Sequence, residues 1–380
     1  MAGELIPFHV EVPESELEDL RGRLARTRWA EAETVDDWSQ GVPRAYLAEL
    51  CRYWREGYDW RASEARLNEI PQFRTEIDGL EIHFLHARSP HPQALPLLIT
   101  HGWPGSVVEF LKVIGPLSDP PAHGGDAADA FHGVCPSLPG YGFSEKPAQH
   151  GWDVQRIGRA WAVLMDRLGY ARYGAQGGDW GSAVTMALGL HDAEHLAGIH
   201  LNMPVADPAA LAQLGELNEQ EQAALASFAK YTKWDSGYSV QQSTRPQTVG
   251  YSLVDSPAGL CAWIIEKFWS WTDCNGHPEN AISRDELLDN VMLYWLGASG
   301  ASSARLYWES FRKRDFSPID VPTGCSIFPK EIFRISRRWA QTRFSDLRQF
   351  NELDRGGHFA AFEVPELYLD QVRSLFRELR

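Results

Sequence analysis

Cysteine is scarce in this chain of 380 residues, and its five cysteines are scattered without a CxxC pair. An odd, scattered set fits neither a disulfide framework nor the spacing of a zinc site. The sequence therefore predicts reduced thiols, as in a cytoplasmic protein, with no metal and no cofactor. The cysteines are Cys51, Cys135, Cys261, Cys274 and Cys325.

Basic residues and long apolar runs are also in short supply. Lysine and arginine number 36 against 51 aspartates and glutamates, which gives a formal net charge of −15 with no basic cluster. Such a charge repels nucleic acid and anionic lipid. Residues 1–13 alternate apolar and polar side chains, unlike a signal peptide or a membrane span. We therefore expect a soluble protein without a nucleic-acid or membrane partner, and a homo-oligomer is left open.

Aromatic residues, in contrast, are abundant. The chain has 15 Trp, 12 Tyr and 17 Phe, within an apolar content of 44% and a charged content of 23%. The overall balance is that of a globular enzyme, but one core does not require so many aromatic side chains. We expect most of them in the core and some in a pocket for a bulky or aromatic small molecule.

Apolar periodicity predicts an α/β architecture. Residues 13–68 show helical spacing, and residues 75–86 alternate around an Asp78-Gly79 hairpin turn. Strands and helices then alternate, as in a parallel sheet with crossover helices. The predicted strands cover residues 95–100, the vicinity of Val134 and residues 172–176, and the predicted helices cover 107–114, 154–168 and the residues after Trp180.

The alternation lapses between about residues 204 and 305, which predicts a helical insertion over the sheet. Residues 208–231 and 257–271 have helical patterns, and a polar stretch at 243–246 separates them. The elements predicted after the insertion are a strand at 321–327 and a helix from Phe359 to the C-terminus.

The hexapeptide Gly177-Gly178-Asp179-Trp180-Gly181-Ser182 lies between a predicted strand and a predicted helix. Small residues on both sides allow the sharp turn that exposes a nucleophile above a sheet. A carboxylate at Asp179 suits attack on an sp³ carbon that carries a strained or good leaving group, and it leaves an ester for water to cleave. Taken alone, the hexapeptide is equally typical of an Asp that caps a helix after a glycine turn.

The segment His101-Gly102-Trp103-Pro104 directly follows a predicted strand, at a position where a loop can hold an oxyanion. We predict that Trp103 and Trp180 offer backbone N–H groups to the negative oxygen, with Gly102 and Pro104 in the same pocket. His101 is a second candidate for the catalytic histidine. His101 precedes the nucleophile, however. In hydrolases that carry the nucleophile on a sharp turn between a strand and a helix, the catalytic histidine comes after the nucleophile and the acid.

The preferred histidine is His358, in the glycine-rich segment 355–360 before the final helix. Glu331 stands 358 − 331 = 27 residues earlier, just after a predicted strand, where an acid is placed to orient the histidine ring. The alternative for Glu331 is a solvated surface position. Asp320 precedes the strand and Asp354 is close to His358 in sequence, so both are weaker candidates for the acid.

Together these motifs resemble the microsomal-type epoxide hydrolases and their soluble microbial relatives, over nearly the whole chain. The resemblance implies an α/β-hydrolase fold with an N-terminal helical extension, in an N-terminal epoxide-hydrolase-type region (1–92) that packs on lid and core. The rest is a core (93–204 and 306–380) and a mostly helical lid (205–305). The chain lacks the apolar N-terminal anchor of the membrane-bound members, so their location does not carry over. The matching motifs are PFHV at 7–10, RTRW at 26–29, HGWPGS at 101–106, GGDWGS at 177–182, DSPAGL at 255–260, VPTG at 321–324 and RGGHFAAFE at 355–363.

By this resemblance Asp179 is the nucleophile, His358 the base and Glu331 its acid partner, while Tyr238 and Tyr307 donate a proton to the epoxide oxygen. That oxygen leaves as an alkoxide, and a phenol with a pKa near ~10 can donate to it without being ionised at neutral pH. Sequence pattern alone does not select these two tyrosines over others with packing roles. Tyr238 is predicted in a polar break between lid helices, and Tyr307 just after the lid.

The expected reaction converts a hydrophobic epoxide, aryl or otherwise bulky, to a vicinal diol. A composition rich in arginine and poor in lysine suggests a GC-rich bacterium and a biosynthetic, polyketide-like substrate. Two alternatives stay open: a haloalkane dehalogenase, in which Trp180 would hold the halide, and a non-catalytic binding protein of the same fold. The long N-terminal segment and the two lid tyrosines argue against the first, and the apparently complete set of Asp179, Glu331 and His358 argues against the second.

Overall fold

A computed structural model describes residues 3–380, and within them nine strands form a single sheet. The strands are β1 (Ile6–Phe8), β2 (Gln72–Ile77), β3 (Leu80–Ala87), β4 (Leu95–Thr100), β5 (Phe131–Pro136), β6 (Tyr173–Gly177), β7 (Leu196–Leu201), β8 (Thr323–Ile327) and β9 (Leu347–Glu352). Their order across the sheet is β1-β2-β3-β5-β4-β6-β7-β8-β9. The pairs from β1 to β5 are antiparallel, and all pairs from β5 to β9 are parallel.

The parallel strands form the buried centre of the molecule. Every residue of β6, β7 and β8 is buried, because helices cover both faces of the sheet. The prediction of a parallel α/β sheet is confirmed. The helices outside the insertion are α1 (Glu14–Ala25), α2 (Arg44–Glu56), α3 (Trp60–Asn68), α4 (Leu111–Ser118), α5 (Val154–Arg167) and α6 (Asp179–His191).

Glycines bring two elements close to the sheet centre. A Cβ at Gly158 of α5 would lie 3.0 Å from the Cβ of Ala187 of α6, so these helices approach with almost no side chain between them. A Cβ at Gly174 of β6 would collide with the ring of Phe376 near the C-terminus. The close packing holds β6, and therefore the residues that follow it, in a fixed position.

The N-terminal region contains the predicted hairpin and helices, and it adds strands to the central sheet. The predicted hairpin is the β2–β3 pair, with Asp78 and Gly79 both at positive φ (53° and 77°) in its turn. The helical pattern of residues 13–68 corresponds to α1, α2 and α3. Besides these helices, β1, β2 and β3 extend the central sheet through the antiparallel pair of β3 with β5.

The insertion is helical, as predicted, but it contains more breaks than expected. The segment 208–231 is not one helix, because Gly215 lies at φ 77° and a new helix begins at Glu219. Asn218 caps this helix, and its side chain forms a capping box with Glu221. The insertion comprises α7 (Pro208–Leu211), α8 (Glu219–Lys230), a π-helical turn (Tyr231–Asp235), α9 (Gly237–Thr244), α10 (Pro246–Asp255), α11 (Pro257–Trp271), α12 (Arg284–Leu296) and α13 (Gly300–Ser310).

Both lid tyrosines lie inside helices, which corrects their predicted surroundings. Residues 243–246 are not a polar break but the end of α9 and the start of α10, with Arg245 alone between the two helices. Tyr238 is the second residue of α9. Tyr307 lies within α13, which crosses the predicted lid boundary at residue 305.

The C-terminal part has three further helices: α14 (Arg337–Ala340), α15 (Ala360–Glu363) and α16 (Pro365–Arg377). The predicted strand 321–327 is β8, which begins two residues later. The predicted final helix is two helices, because the residue before Pro365 is disfavoured in helical backbone. Strand β9 was not predicted, since its partly exposed sequence LRQFNE lacks a clear apolar alternation.

The structure bears on two predictions that came from the lack of long apolar runs and of paired cysteines. Within residues 3–380, no helix has both the length and the apolar character needed to cross a bilayer. All five cysteines are buried and unpaired, in agreement with the predicted reduced thiols.

Candidate active site

Asp179 is the first residue of α6, at the strained turn that follows β6. Its φ is 50°, in the left-handed region that a residue with a side chain rarely adopts. The turn requires glycine on both sides, because a Cβ at Gly177 would collide with the carbonyl oxygen of Gly181, and a Cβ at Gly181 would collide with that of Thr100. The backbone therefore presents the Asp179 carboxylate at the carboxyl end of the parallel strands.

The loop after β4 holds one oxygen of this carboxylate. The backbone N–H of Trp103 donates to Asp179 Oδ1 at 2.8 Å. A Cβ at Gly102 would collide with the same carboxylate, so only glycine allows the approach. The loop is in turn tied to α12, since Asn290 Nδ2 donates to the carbonyl oxygen of Pro104 at 2.7 Å.

His358 lies between two carboxylates. Its Nδ1 is 2.6 Å from Glu331 Oε1, and its Nε2 is 3.5 Å from Asp179 Oδ2. The backbone N–H of Ile332 donates to Glu331 Oε1 at 2.7 Å and fixes the acid. Both Glu331 and His358 are buried, so the solvated surface alternative for Glu331 is wrong.

The charges around His358 set its protonation. Burial disfavours the imidazolium, but the carboxylates of Glu331 and Asp179 prevail and raise the pKa of His358 well above its ordinary value. Part of this effect comes from Asp179 and depends on its negative charge. Any reaction that neutralises Asp179 therefore lowers the pKa of His358 and favours the neutral imidazole, the form that accepts a proton.

His101 is engaged in the loop and not in this pair. Its Nδ1 is 3.0 Å from the carbonyl oxygen of Gly102, and its Nε2 accepts from the backbone N–H of Leu138 at 3.1 Å. Burial lowers the pKa of His101 to about 4, so it is neutral at physiological pH. Both ring nitrogens are occupied by backbone groups, which is the arrangement of a structural histidine.

Two lid phenols lie over the loop. The ring of Tyr238 stacks on Trp103 with centroids 4.9 Å apart and an interplanar angle of 8°. Tyr307 meets Trp103 edge-on at 5.8 Å and Trp180 at 4.7 Å. Burial raises the pKa of both phenols well above their ordinary value, so both keep their protons at neutral pH.

The polar atoms on these rings differ in their partners. The hydroxyl oxygens of Tyr238 and Tyr231 are 2.9 Å apart and share a hydrogen bond. Within residues 3–380, neither the buried Tyr307 hydroxyl nor the buried Trp180 Nε1 has a hydrogen-bond partner.

A small cavity lies behind the carboxylate. Its volume is about 20 Å³, enough for one water molecule, and its lining includes Asp179, His358, Glu109, Gln176 and Asn202. Burial raises the pKa of Glu109 to about 8. The cavity thus joins the nucleophile and the histidine to further polar groups on the side away from the lid.

The assembled groups define the chemistry that the site can perform. A carboxylate held by a backbone N–H can attack carbon, an imidazole with a carboxylate partner can accept a proton, and two protonated phenols can donate one. Within residues 3–380, no group of three or more His, Cys, Asp and Glu side chains is arranged to hold a metal ion.

Comparison with known proteins identifies the family. The family model "Epoxide hydrolase N terminus" matches residues 5–110, and "alpha/beta hydrolase fold" matches residues 96–235. Epoxide hydrolase 1 of Sus scrofa is 38% identical over 97% of this chain and 87% of its own length. A protein of Stigmatella aurantiaca, provisionally named an epoxide hydrolase, is 57% identical over 99% of this chain and 86% of its own length. This chain belongs to the microsomal-type epoxide hydrolases.

Solved structures of epoxide hydrolases have the same fold. The juvenile hormone epoxide hydrolase of the silkworm Bombyx mori superimposes with a TM-score of 0.91 at 31% identity, over 99% of this chain and 95% of that one. The Aspergillus niger epoxide hydrolase has a TM-score of 0.88 at 32% identity, over 99% and 97%. The predicted α/β-hydrolase fold is confirmed, and the protein is a hydrolase that acts on epoxides. Family membership decides for this interpretation over a haloalkane dehalogenase or a non-catalytic binding protein.

The structure brings the five residues to which the sequence of this epoxide hydrolase assigns catalysis close to Trp103 and Trp180, and it adds two. The five are Asp179, His358, Glu331, Tyr238 and Tyr307. Tyr231 and Glu109 were not predicted. Tyr231 stands seven residues before Tyr238, a spacing of about two helical turns that places two side chains on one helix face. Glu109 follows the HGWPGS motif by only three residues. These spacings are the available signals, and neither is specific to a site.

Proposed function

We propose that this epoxide hydrolase opens a hydrophobic epoxide to a vicinal diol through a covalent ester of Asp179. The single observation that carries the proposal is the arrangement of His358, 2.6 Å from Glu331 and 3.5 Å from Asp179, while Trp103 N–H holds the other Asp179 oxygen. The base His358 and the oxyanion donor Trp103 N–H thus both contact the carboxylate that serves as the nucleophile.

In the first step, an Asp179 carboxylate oxygen bonds to an epoxide carbon and the carbon–oxygen bond of the ring breaks. The departing alkoxide takes a proton from Tyr238 or Tyr307, whose buried hydroxyls lie on the lid side of the site. The oxygen that Trp103 holds stays on the acyl carbon as the ester carbonyl. Oδ2 is free of this hydrogen bond, so we assign the attack to Oδ2.

In the second step, water adds to the ester carbonyl. Because Asp179 is now neutral, the imidazolium of His358 releases its proton, which returns through solvent to the phenolate of the lid tyrosine. The neutral imidazole then accepts a proton from the attacking water. The N–H groups of Trp103 and Trp180 stabilise the negative oxygen of the tetrahedral intermediate. Collapse releases the diol and restores the carboxylate. The 20 Å³ cavity is a suitable position for the attacking water.

The substrate that we propose is bulky and apolar. Aromatic rings pack together beside the Asp179 carboxylate, and we infer that this surrounding favours an aryl or extended hydrophobic epoxide. The rings are those of Trp103, Trp180, Tyr238 and Trp271. The name of the silkworm relative, a juvenile hormone epoxide hydrolase, agrees with a large hydrophobic substrate. A biosynthetic, polyketide-like epoxide stays a prediction.

We expect this preference to appear in a panel of aryl, long-chain alkyl, terpenoid and short alkyl epoxides. Bulky members should be hydrolysed with a higher kcat/KM than propylene oxide, because apolar contact area contributes to binding. Diol formation by chromatography measures both the reaction and the preference. Diol from all substrates with the highest kcat/KM for propylene oxide would contradict the substrate proposal while leaving the reaction intact.

The two lid phenols are predicted to share the donor role. Tyr238→Phe and Tyr307→Phe should each slow ring opening, and the double variant should nearly stop it, because a general acid contributes ~10² to 10⁴ in rate. Single-turnover formation of the ester measures this step directly. If the double variant opens epoxides at the normal rate, the oxygen takes its proton elsewhere and both assignments fail.

A further inference from the structure

Tyr231 is a third phenol at the proposed site, and it contacts the donor Tyr238 directly. Their hydroxyl oxygens are 2.9 Å apart. Tyr231 opens the π-helical turn between α8 and α9, and its half-buried ring packs edge-on against Phe333 at 5.1 Å. Single π-helical turns are rare and often occur at functional sites. Here the turn places the Tyr231 hydroxyl beside a residue seven positions further along the chain.

The ring of Tyr238 is also held by its other neighbours. Trp103 stacks on it at 4.9 Å, and the ammonium of Lys267 lies 4.6 Å from its centroid. The Lys267 side chain is only 4% exposed, and it pairs with Glu266 at 2.8 Å. A nearby positive charge favours negative charge on a phenol oxygen by Coulomb attraction, and the Glu266 carboxylate offsets part of this effect. Tyr238 therefore has both a hydrogen-bond partner on its oxygen and a positive charge near its ring.

We propose that Tyr231 is a positioning residue for ring opening, which donates its hydroxyl hydrogen to the Tyr238 oxygen and so directs the Tyr238 hydrogen to the epoxide oxygen. Either hydroxyl can donate in the isolated pair. Once the Tyr238 hydrogen is directed at an epoxide, only Tyr231 can donate between the two. The inference rests on the proposed role of Tyr238.

The proton count of the step is simple. Tyr238 gives its proton to the alkoxide as the ring carbon–oxygen bond breaks, and Tyr231 keeps its own proton. The hydrogen bond from Tyr231 then falls on a phenolate oxygen, and a hydrogen bond to a charged acceptor is stronger than one to a neutral acceptor. Donors in a chain also strengthen one another. With Tyr231 as the protonated donor, this bond stabilises the charge that develops on Tyr238, whereas an ionised Tyr231 would raise the pKa of Tyr238.

The two donors are consequently unequal. Within residues 3–380, the Tyr307 hydroxyl has no hydrogen-bond partner that supports it as Tyr231 supports Tyr238, and its own effect is to lower the pKa of Tyr238. Tyr238 is the supported donor, so Tyr238→Phe should slow ring opening more than Tyr307→Phe does.

A double-mutant cycle tests the inference. Rapid mixing of excess enzyme with styrene oxide, followed by acid quench and mass measurement of the Asp179 peptide, gives the rate of ester formation. Tyr231→Phe should slow it about 3- to 10-fold, the rate equivalent of the strength that the hydrogen bond gains when its acceptor changes from a neutral oxygen to a phenolate. In a Tyr238→Phe background, Tyr231→Phe should have no further effect, because the hydroxyl through which it acts is gone.

Matched variants separate positioning from packing. Tyr173→Phe removes another buried phenol hydrogen bond, to Asp192 at the far end of β6, and should leave ester formation unchanged. Lys267→Met should slow ester formation in the wild-type background but have a smaller effect with Phe at position 238, since a phenylalanine cannot become an anion.

The outcomes separate the donor role of Tyr238 from the positioning role of Tyr231. An unchanged rate in Tyr238→Phe alone would overturn the donor role of Tyr238 and the inference with it. If Tyr238→Phe slows ester formation and Tyr231→Phe does not, only the positioning role of Tyr231 is overturned. The same is true if Tyr231→Phe slows ester formation equally in both backgrounds, because its effect would then come from packing.

Discussion

Replacing Asp179 with Asn is expected to reduce diol formation by about 10⁵ or more, the scale seen when a covalent nucleophile is removed. An amide of the same shape is a far poorer nucleophile toward carbon than a carboxylate. The fold should persist, because the Asn side-chain oxygen can still accept from Trp103 N–H, as Oδ1 of Asp179 does at 2.8 Å. Steady-state diol formation measures the loss, and circular dichroism checks the fold.

Two controls make the Asp179→Asn result decisive. Asp320→Asn changes an exposed aspartate that bonds Ser345, and it should retain normal turnover. The amide introduced by Asp179→Asn can also deamidate back to a carboxylate through a neighbouring base, so the intact mass must be measured alongside activity. If the mass shows an intact amide and turnover is still normal, Asp179 is not the nucleophile.

Replacing His358 with Gln should allow the ester to form but not to break. The Asp179 carboxylate still reaches the epoxide, whereas no group accepts the proton of the attacking water. We expect turnover to fall by about 10⁴ or more, with a stoichiometric burst of alkylated enzyme. Mass spectrometry of the peptide that contains Asp179 should show an adduct equal in mass to the substrate.

The neighbouring histidine provides a matched control for His358→Gln. His101→Gln changes a buried imidazole of the oxyanion loop, which donates and accepts only with backbone groups. It should not accumulate the ester beyond the wild-type level, even if it lowers the overall rate by disturbing the loop. If His358→Gln loses activity without any adduct, His358 acts before the ester forms and its proposed role is wrong.

The sequence predicted strands β4, β6 and β8 and the candidates Asp179, His358 and Glu331 because they depend on strong local patterns, whereas Tyr238 and Tyr307 came only from the family resemblance. The buried strand β4 is a continuous apolar run, and the turn at Asp179 requires glycines that appear as GGDWGS. Glu331 was located by its spacing from His358 and by the strand before it. Each of these signals lies within a short stretch of sequence, so no knowledge of distant contacts was needed.

The surroundings of the lid tyrosines were less predictable, because they depend on contacts between distant segments. Arg245 alone separates α9 from α10, and a polar helix end resembles a loop in sequence. The pairing of Tyr231 with Tyr238 depends on a π-helical turn, which has no sequence signature. Strands β1 to β3 were assigned to a separate region because their pairing with the core sheet involves β5, more than 40 residues later in the chain.

The central claim is the order of events, in which the Asp179 ester forms before water attacks. A single turnover with excess enzyme in ¹⁸O-water tests it most directly. The first diol molecule should be unlabelled, because its added oxygen comes from the Asp179 carboxylate, and the ¹⁸O should appear in the peptide that contains Asp179. An ¹⁸O-labelled diol in the first turnover, with no label in that peptide, would show that water attacks the epoxide directly and would contradict the covalent mechanism.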